Sequence, residues 1–195
     1  DDAHAHGAAL HLDGARIWNA AVARDTSPAL LAKGADSIMV CLSKGLSAPV
    51  GSLLAGSAEF VAKARFARKT LGGGMRQAGH LAAAGLLALD GIKRLAEDHA
   101  NAKRLAKGLG ALGLGVDIKG TETNMVMADP TPAGWSADGL MIALKGAGIL
   151  AGRRDAGPVV RFVTHRNLSA ADLGEALERM AALRPQGSSA ARRMH

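Results

Sequence analysis

Three charged side chains fall where apolar runs end. Asp13 follows Ala8-Ala9-Leu10-His11-Leu12, Arg16 stands just beyond it, and Lys44 follows Ile38-Met39-Val40-Cys41-Leu42, flanked by Ser43 and Gly45. In open α/β sheets, ligands bind beyond the carboxyl ends of the strands. An amine partly desolvated at such an end favours its neutral, nucleophilic form. The alternative is a lysine that merely snorkels from a strand end. Asp13 reads either as a buried carboxylate facing a cationic nitrogen or as a turn aspartate before Gly14. Arg16 could simply pair with Asp13, at little net stability if the pair is exposed.

A second cluster is Lys69-Thr70-Leu71-Gly72-Gly73-Gly74-Met75-Arg76-Gln77. Glycines let backbone N–H groups approach an anion, and a following helix adds the positive end of its dipole. With Lys69 and Arg76 at its sides, this stretch is a candidate phosphate site. It matches neither G-x-x-x-x-G-K-[ST] nor G-x-G-x-x-G, and a bare triple glycine is more often just a loop. His4-x-His6, His11 and Asp13 lack further ligands at telling distances, so no metal site is expected.

These residues need elements to position them. A strand is predicted over Ala8 to Leu12 ending in a turn at Asp13-Gly14, a helical turn over Pro28 to Lys33, and a second strand over Asp36 to Leu42. A third strand is expected at Gly51 to Ala55. Ser57 is placed as the N-cap of a helix carrying Phe60, Val61, Ala64 and Ala67 on one face. After Gly72-Gly73-Gly74, helices are predicted over Arg76 to Leu89 and Ile92 to Leu109, bridging two domains. Strands follow at Val116 to Lys119 and Thr123 to Ala128, then a helix from Ser136 to Lys145, and a strand over Val159 to Thr164. A last helix opens on the capping-box pattern Ser169-x-x-Asp172 and carries Leu173, Leu177, Met180 and Leu183.

Composition narrows the class. The 195 residues are 48% hydrophobic and 21% charged, which excludes a mainly disordered chain. No run approaches the roughly 18 apolar residues of a membrane span. Cys41 is the one cysteine, so no internal disulfide forms and a reducing compartment, the cytoplasm, fits. The net charge is +7, but it is spread along the chain, and aromatics make up only 3%. A nucleic-acid reader would show a denser basic stripe with interleaved aromatics, so neither nucleic acid nor membrane is expected as a partner. Asp1 to His6 has neither the basic start nor the apolar core of a signal peptide.

Three segments together go beyond composition: His11-Leu-Asp-Gly-Ala-Arg16, Cys41-Leu-Ser-Lys-Gly-Leu-Ser-Ala-Pro-Val-Gly-Ser52 and Arg68-Lys-Thr-Leu-Gly-Gly-Gly-Met-Arg-Gln-Ala-Gly79. In order and spacing they resemble the low-specificity L-threonine aldolases, which are fold type I pyridoxal-phosphate enzymes. The likeness continues through Asp98-His99-Ala-Asn101, Thr123-Asn124 and Arg161-Phe-Val-Thr-His165. It implies an α/β chain: the C-terminal part of a fold type I large domain over residues 1–90, then a connecting helix and small α+β domain over 91–184. A flexible tail is expected over 185–195.

The resemblance also implies roles. Lys44 would form the internal aldimine with pyridoxal 5'-phosphate, and Asp13 would keep the pyridine nitrogen protonated so that the ring serves as an electron sink. Arg16 would hydrogen-bond the ring oxygen or its neighbourhood, where substrate also binds. Lys69 and Arg76 would serve the phosphate, Arg76 across a subunit boundary. Arg161 would bind the substrate carboxylate as a fork. The implied reaction is retro-aldol cleavage of L-threonine or L-allo-threonine to glycine and acetaldehyde by a homo-oligomer, a dimer or tetramer.

The family's preceding portion, with part of the phosphate loop and two active-site histidines, has no counterpart here. His80, His99 and His165 sit in other motifs, and two or three strands leave a parallel sheet uncovered. The expectation is therefore poor cofactor retention and little activity from this chain alone. A second reading, β-elimination or racemisation on the same cofactor, would use the same Lys44, Asp13 and Arg161; a third, of a different class, is a truncated, non-catalytic basic binding module.

Overall fold

The computed structural model describes residues 2–153 and 157–185. The chain divides into two units, one ending at Ala96 and the other beginning at Glu97. The division falls within the first turn of one helix.

The first unit opens with a short helix, α1 (Asp2–Ala5), and strand β1 (His11–Gly14). The crossover that follows carries α2 (Ile17–Ala23) and α3 (Pro28–Leu31), leading to β2 (Ser37–Cys41). β2 runs parallel to β1, with Asp13 opposite Met39 and Gly14 opposite Val40. β3 (Ser52–Gly56) returns antiparallel, Cys41 facing Ser52, to give a three-stranded sheet in the order β1-β2-β3. Helix α2 was not among the predicted elements, although Ile17 with Ala21 and Trp18 with Val22 are i, i+4 pairs. Ile17 and Ala21 are buried.

Ser57 caps α4 (Ala58–Thr70), its hydroxyl accepting from the Phe60 N–H at 3.2 Å. The next helix, α5, spans Gly79–Asp90 rather than starting at Arg76, since Gln77 takes a left-handed φ of 49° that no helix continues through. The stretch expected as one helix from Ile92 is a 3-10 turn (Ile92–Arg94) followed by α6 (Leu95–Ala111). Leu42, Leu46, Ala48, Ala88 and Leu95 form the core of this unit, with Trp18 and Val22 packed against it.

In the second unit a four-stranded antiparallel sheet has the order β4-β5-β7-β6, from β4 (Gly115–Val116), β5 (Met125–Asp129), β6 (Gly152–Arg153) and β7 (Val160–Val163). β4 is shorter than the predicted Val116 to Lys119, because Asp117 folds a turn: its carboxylate accepts from Gly120 N–H and its carbonyl from the Thr121 hydroxyl. The alternation of apolar residues along β5 and β7 sends Val126, Ala128, Val160 and Phe162 to one face. There they meet Leu105 and Leu109 of α6, Leu140 and Leu144 of α7 (Ala137–Gly146), and Leu173 and Met180 of α8 (Ala170–Ala181). Ser169 and Asp172 complete a reciprocal capping box on α8. Most of the predicted tail lies outside the described residues. No helix among the described residues is long and apolar enough to cross a membrane.

Candidate active site

The parallel pairing of β1 and β2 places Asp13 and Lys44 at one edge of the sheet. Asp13 lies opposite Met39 near the carboxyl end of β1, and Lys44 follows the carboxyl end of β2 by three residues. One Asp13 oxygen accepts from the Ala15 N–H at 3.1 Å, an Asx turn that points the strand end into α2. Gly14 has to be glycine here. A Cβ on it would stand 2.8 Å from the Ile38 side chain and from the Met39 carbonyl oxygen. Arg16 follows as the half-buried residue preceding α2.

The pairing of Asp13 with Arg16 left open by the sequence does not form. Among the described residues Asp13 has no cationic partner, and neither the Lys44 amine nor the Arg16 guanidinium has an acceptor. Asp13 and Lys44 are also exposed, against the expectation of a buried carboxylate and a partly desolvated amine. The physical reason is the thin cover: β3 is exposed along its whole length and β1 buries only Gly14. An apolar run thus brings the chain into the sheet, but burial at its end depends on what lies over it.

The turn that carries Lys44 is tightly held from below. Leu42, Leu46 and Ala48 are buried, the Leu42 N–H donates to the Gly51 carbonyl (3.0 Å), and the Ala48 N–H returns to the Leu42 carbonyl (3.0 Å). The Ser47 N–H donates to the Lys44 carbonyl at 2.9 Å, with Ser47 itself at a φ of 62°. Outside the turn, the Trp18 indole N–H donates to the Cys41 carbonyl at 2.9 Å and Arg94 donates to the Gly45 carbonyl at 3.2 Å. Sequence reasoning missed both. Trp18 sits two residues from Arg16 and could have been noticed; nothing in the sequence links Arg94 to Gly45.

The glycine cluster forms a helix stop. Gly72, at a φ of 78°, sends its N–H to the Lys69 carbonyl (3.1 Å), and the Gly73 N–H reaches the Arg68 carbonyl (2.8 Å). That pair of bonds is a Schellman motif closing α4. Two of the three glycine amides expected to face an anion are therefore used within the chain. What remains for an anion is the pair of exposed cations, Lys69 in the last turn of α4 and Arg76 in the loop, neither with a partner among the described residues.

Arg161 belongs to the second unit. It lies in β7 opposite Met127 of β5 and Gly152 of β6, on the face away from the Val160 and Phe162 core. Its side chain lies over Gly152, where a Cβ would be 3.7 Å from a guanidinium nitrogen. Its Nε is buried without a hydrogen-bond partner among the described residues. A buried orphan guanidinium N–H is a costly arrangement that a carboxylate relieves.

Among the described residues no three His, Cys, Asp or Glu side chains gather as metal ligands. His4 meets Asp36 at 2.8 Å, and His11 meets the Ser37 hydroxyl at 2.8 Å. The Leu10 N–H, with His4, holds the Asp36 carboxyl below the usual carboxylate range.

A lysine thus lies beyond one strand of a parallel pair, with an acid near the end of its neighbour and a β/α crossover between the two strands. Residues 2–132 match the beta-eliminating lyase family model, and the chain belongs to that family. Among curated relatives it is 45% identical over 171 residues to low-specificity L-threonine aldolase 1 of Arabidopsis thaliana, covering 86% of this chain and 48% of that protein. It is 43% identical over 168 residues to the low specificity L-threonine aldolase of Escherichia coli K12, again covering 86% and 48%. The chain thus spans about half the length of these relatives.

Solved structures share the fold. One is assigned as an aromatic amino acid beta-eliminating lyase/threonine aldolase, from Exiguobacterium sp. 255-15. It superposes with a TM-score of 0.71 at 22% identity, over 92% of this chain and 54% of that one. Another, assigned as an L-allo-threonine aldolase from Listeria monocytogenes EGD-E, gives 0.69 at 23% identity, over 92% and 53%.

Proposed function

We propose that this chain carries the lysine-bearing part of a pyridoxal 5'-phosphate-dependent aldehyde-lyase. The enzyme would cleave L-threonine or L-allo-threonine to glycine and acetaldehyde. One observation supports this above the rest: Asp13 and Lys44 share the carboxyl edge of a parallel pair, and neither is neutralised by a neighbour among the described residues. The donor set fits the cofactor, with an amine for its aldehyde, a carboxylate for its ring nitrogen and cations for its phosphate. When bound, the cofactor supplies an aldehyde and a ring that takes up the electron pair left when a bond to the α-carbon breaks.

The chain's own residues would then act as follows. The Lys44 amine would hold the cofactor. The free oxygen of Asp13 keeps a proton on the ring nitrogen, and Arg16 hydrogen-bonds the ring oxygen and adjoining substrate. Lys69 and Arg76 offset the phosphate charge. Arg161, whose Nε lacks an acceptor among the described residues, takes the substrate carboxylate. Further parts of the proposal are a homo-oligomer, dimer or tetramer, and a cytoplasmic setting suited to the lone, buried Cys41.

The test is covalent trapping. The chain is mixed with pyridoxal 5'-phosphate, reduced with borohydride and digested, and the labelled lysine is found by mass. Lys44 is expected to carry the label ahead of every other lysine, and Lys44→Ala to lose it. Labelling spread evenly over the surface lysines would overturn the reading. With a chain supplying the other half of a relative added, glycine and acetaldehyde are the expected products; an oxo acid with ammonia, or a D-amino acid, would move the activity to β-elimination or racemisation.

A further inference from the structure

The turn around Lys44 is gripped on both sides by side chains far from it in sequence. Cys41 lies one residue past the last β1–β2 pair, Gly14 with Val40. The strand β1 offers its carbonyl no partner there, and the Trp18 indole N–H donates to it at 2.9 Å. On the other side of the lysine, Arg94 of the 3-10 turn donates to the Gly45 carbonyl at 3.2 Å, across 49 residues. Gly45 is seated between Leu95, fully buried, and Asn19, 2% exposed. A Cβ on it would stand 2.9 Å from Leu95 and 3.0 Å from the Asn19 carboxamide oxygen. The lysine itself is exposed and has no acceptor of its own among the described residues. Its backbone is therefore fixed while its side chain is free, the arrangement needed to aim a flexible amine at one point.

Taking Lys44 as the cofactor lysine, and so resting on the function proposed above, we propose that Arg94 and Trp18 are positioning residues. They clamp the carbonyls that bracket Ser43-Lys44-Gly45 and so set where the Lys44 amine can reach. Neither needs to touch cofactor or substrate. Arg94 is the stronger clamp, because a charged donor makes the stronger hydrogen bond and its planar fork holds direction.

The readout is the ratio of borohydride-trapped pyridoxal 5'-phosphate on Lys44 to that on Lys33, an exposed lysine outside the site, measured on the full chain. Arg94→Ala is expected to lower this ratio about tenfold, the low end of what one hydrogen bond to a charged group is worth. Arg94→Lys, which keeps a donor, should restore most of it. A wild-type ratio near one would defeat the functional reading itself. A high wild-type ratio left unchanged by Arg94→Ala would overturn the positioning role while leaving that reading intact. Should Arg94→Ala fail to fold, Trp18→Phe keeps the ring and removes only the donor. It should lower the ratio several-fold, about the worth of one hydrogen bond, and an unchanged ratio there would overturn the proposal equally.

Discussion

Substituting alanine at Gly45 tests the packing beneath Lys44 directly. The added methyl would stand 2.9 Å from Leu95 Cδ2 and 3.0 Å from Asn19 Oδ1. Ordinary carbon contacts begin at about 3.5 Å, so an overlap of about 0.6 Å has to be relieved. Neither neighbour can swing into solvent, Leu95 being fully buried and Asn19 2% exposed. The main chain has to move instead, and overpacking of this kind costs about 1–3 kcal/mol. Working against this, alanine in place of glycine restricts the unfolded chain by about 0.4–1 kcal/mol, but only where the native conformation accepts it. The net expectation is destabilisation of the first unit by about 1–2 kcal/mol, a fall in the urea midpoint of about 0.5–1 M. Trp18 lies in the first unit and Trp135 in the second. Urea unfolding followed by fluorescence in a Trp135→Phe background therefore reads the first unit alone. A Gly45→Ala midpoint equal to or above that of the parent would refute the packing, and with it the argument that the turn has no freedom to shift.

The same substitution should act in the opposite direction at Gly174, inside α8, where a Cβ meets nothing within 4 Å; the expected gain is about 0.5–1 kcal/mol, read by the Trp135 signal in a Trp18→Phe background. Ser169→Ala removes the capping box and should cost about 1 kcal/mol by the same measurement at neutral pH. The Ser169 hydroxyl, and then its N–H, hold the Asp172 carboxyl below its ordinary 3.8. That contribution is present above pH 3.8 and is lost as pH falls below it, so the difference between Ser169→Ala and the parent should narrow in acid. His99 has the opposite chemistry with the same sign. Burial holds its imidazole below the ordinary 6.5, despite Asp98, so the unfolded chain binds more protons. Stability of the second unit should be complete above pH 6.5 and decline as pH falls below it, and His99→Gln should flatten that slope in urea titrations.

What the sequence disclosed and what it withheld follow from the range of the interactions concerned. The placement of Asp13 and Lys44 beside strand ends, and of the glycine cluster at a break in the chain, was legible because each belongs to a short local motif. The strand that holds Arg161 was legible too, and within it period-two alternation sets Arg161 on the face opposite Val160 and Phe162. The Schellman closure of α4 was a subtler matter. Three glycines announce a change of direction, but which of their amides stay free is decided by the helix behind them, and two return to Arg68 and Lys69. The Arg94–Gly45 bond could not be read at all, because nothing within 49 residues of chain specifies which carbonyl an arginine will find.

The exposure of Asp13 and Lys44 is the most informative of these differences. Their electrostatic environment was inferred from the apolar runs that precede them, yet burial is a property of the elements that lie over a strand end. In this chain β1 and β3 leave that end open. Cover for the amine must therefore come from a group laid over the sheet edge: under the proposed function the cofactor ring, or else further polypeptide. The two sources differ in their consequence. If the ring suffices, the Lys44 label should form on this chain with the preference expected in the trapping experiment. If further polypeptide is needed, adding a chain that supplies the other half of a relative should raise the Lys44-to-Lys33 ratio, while leaving labelling of Lys33 unchanged.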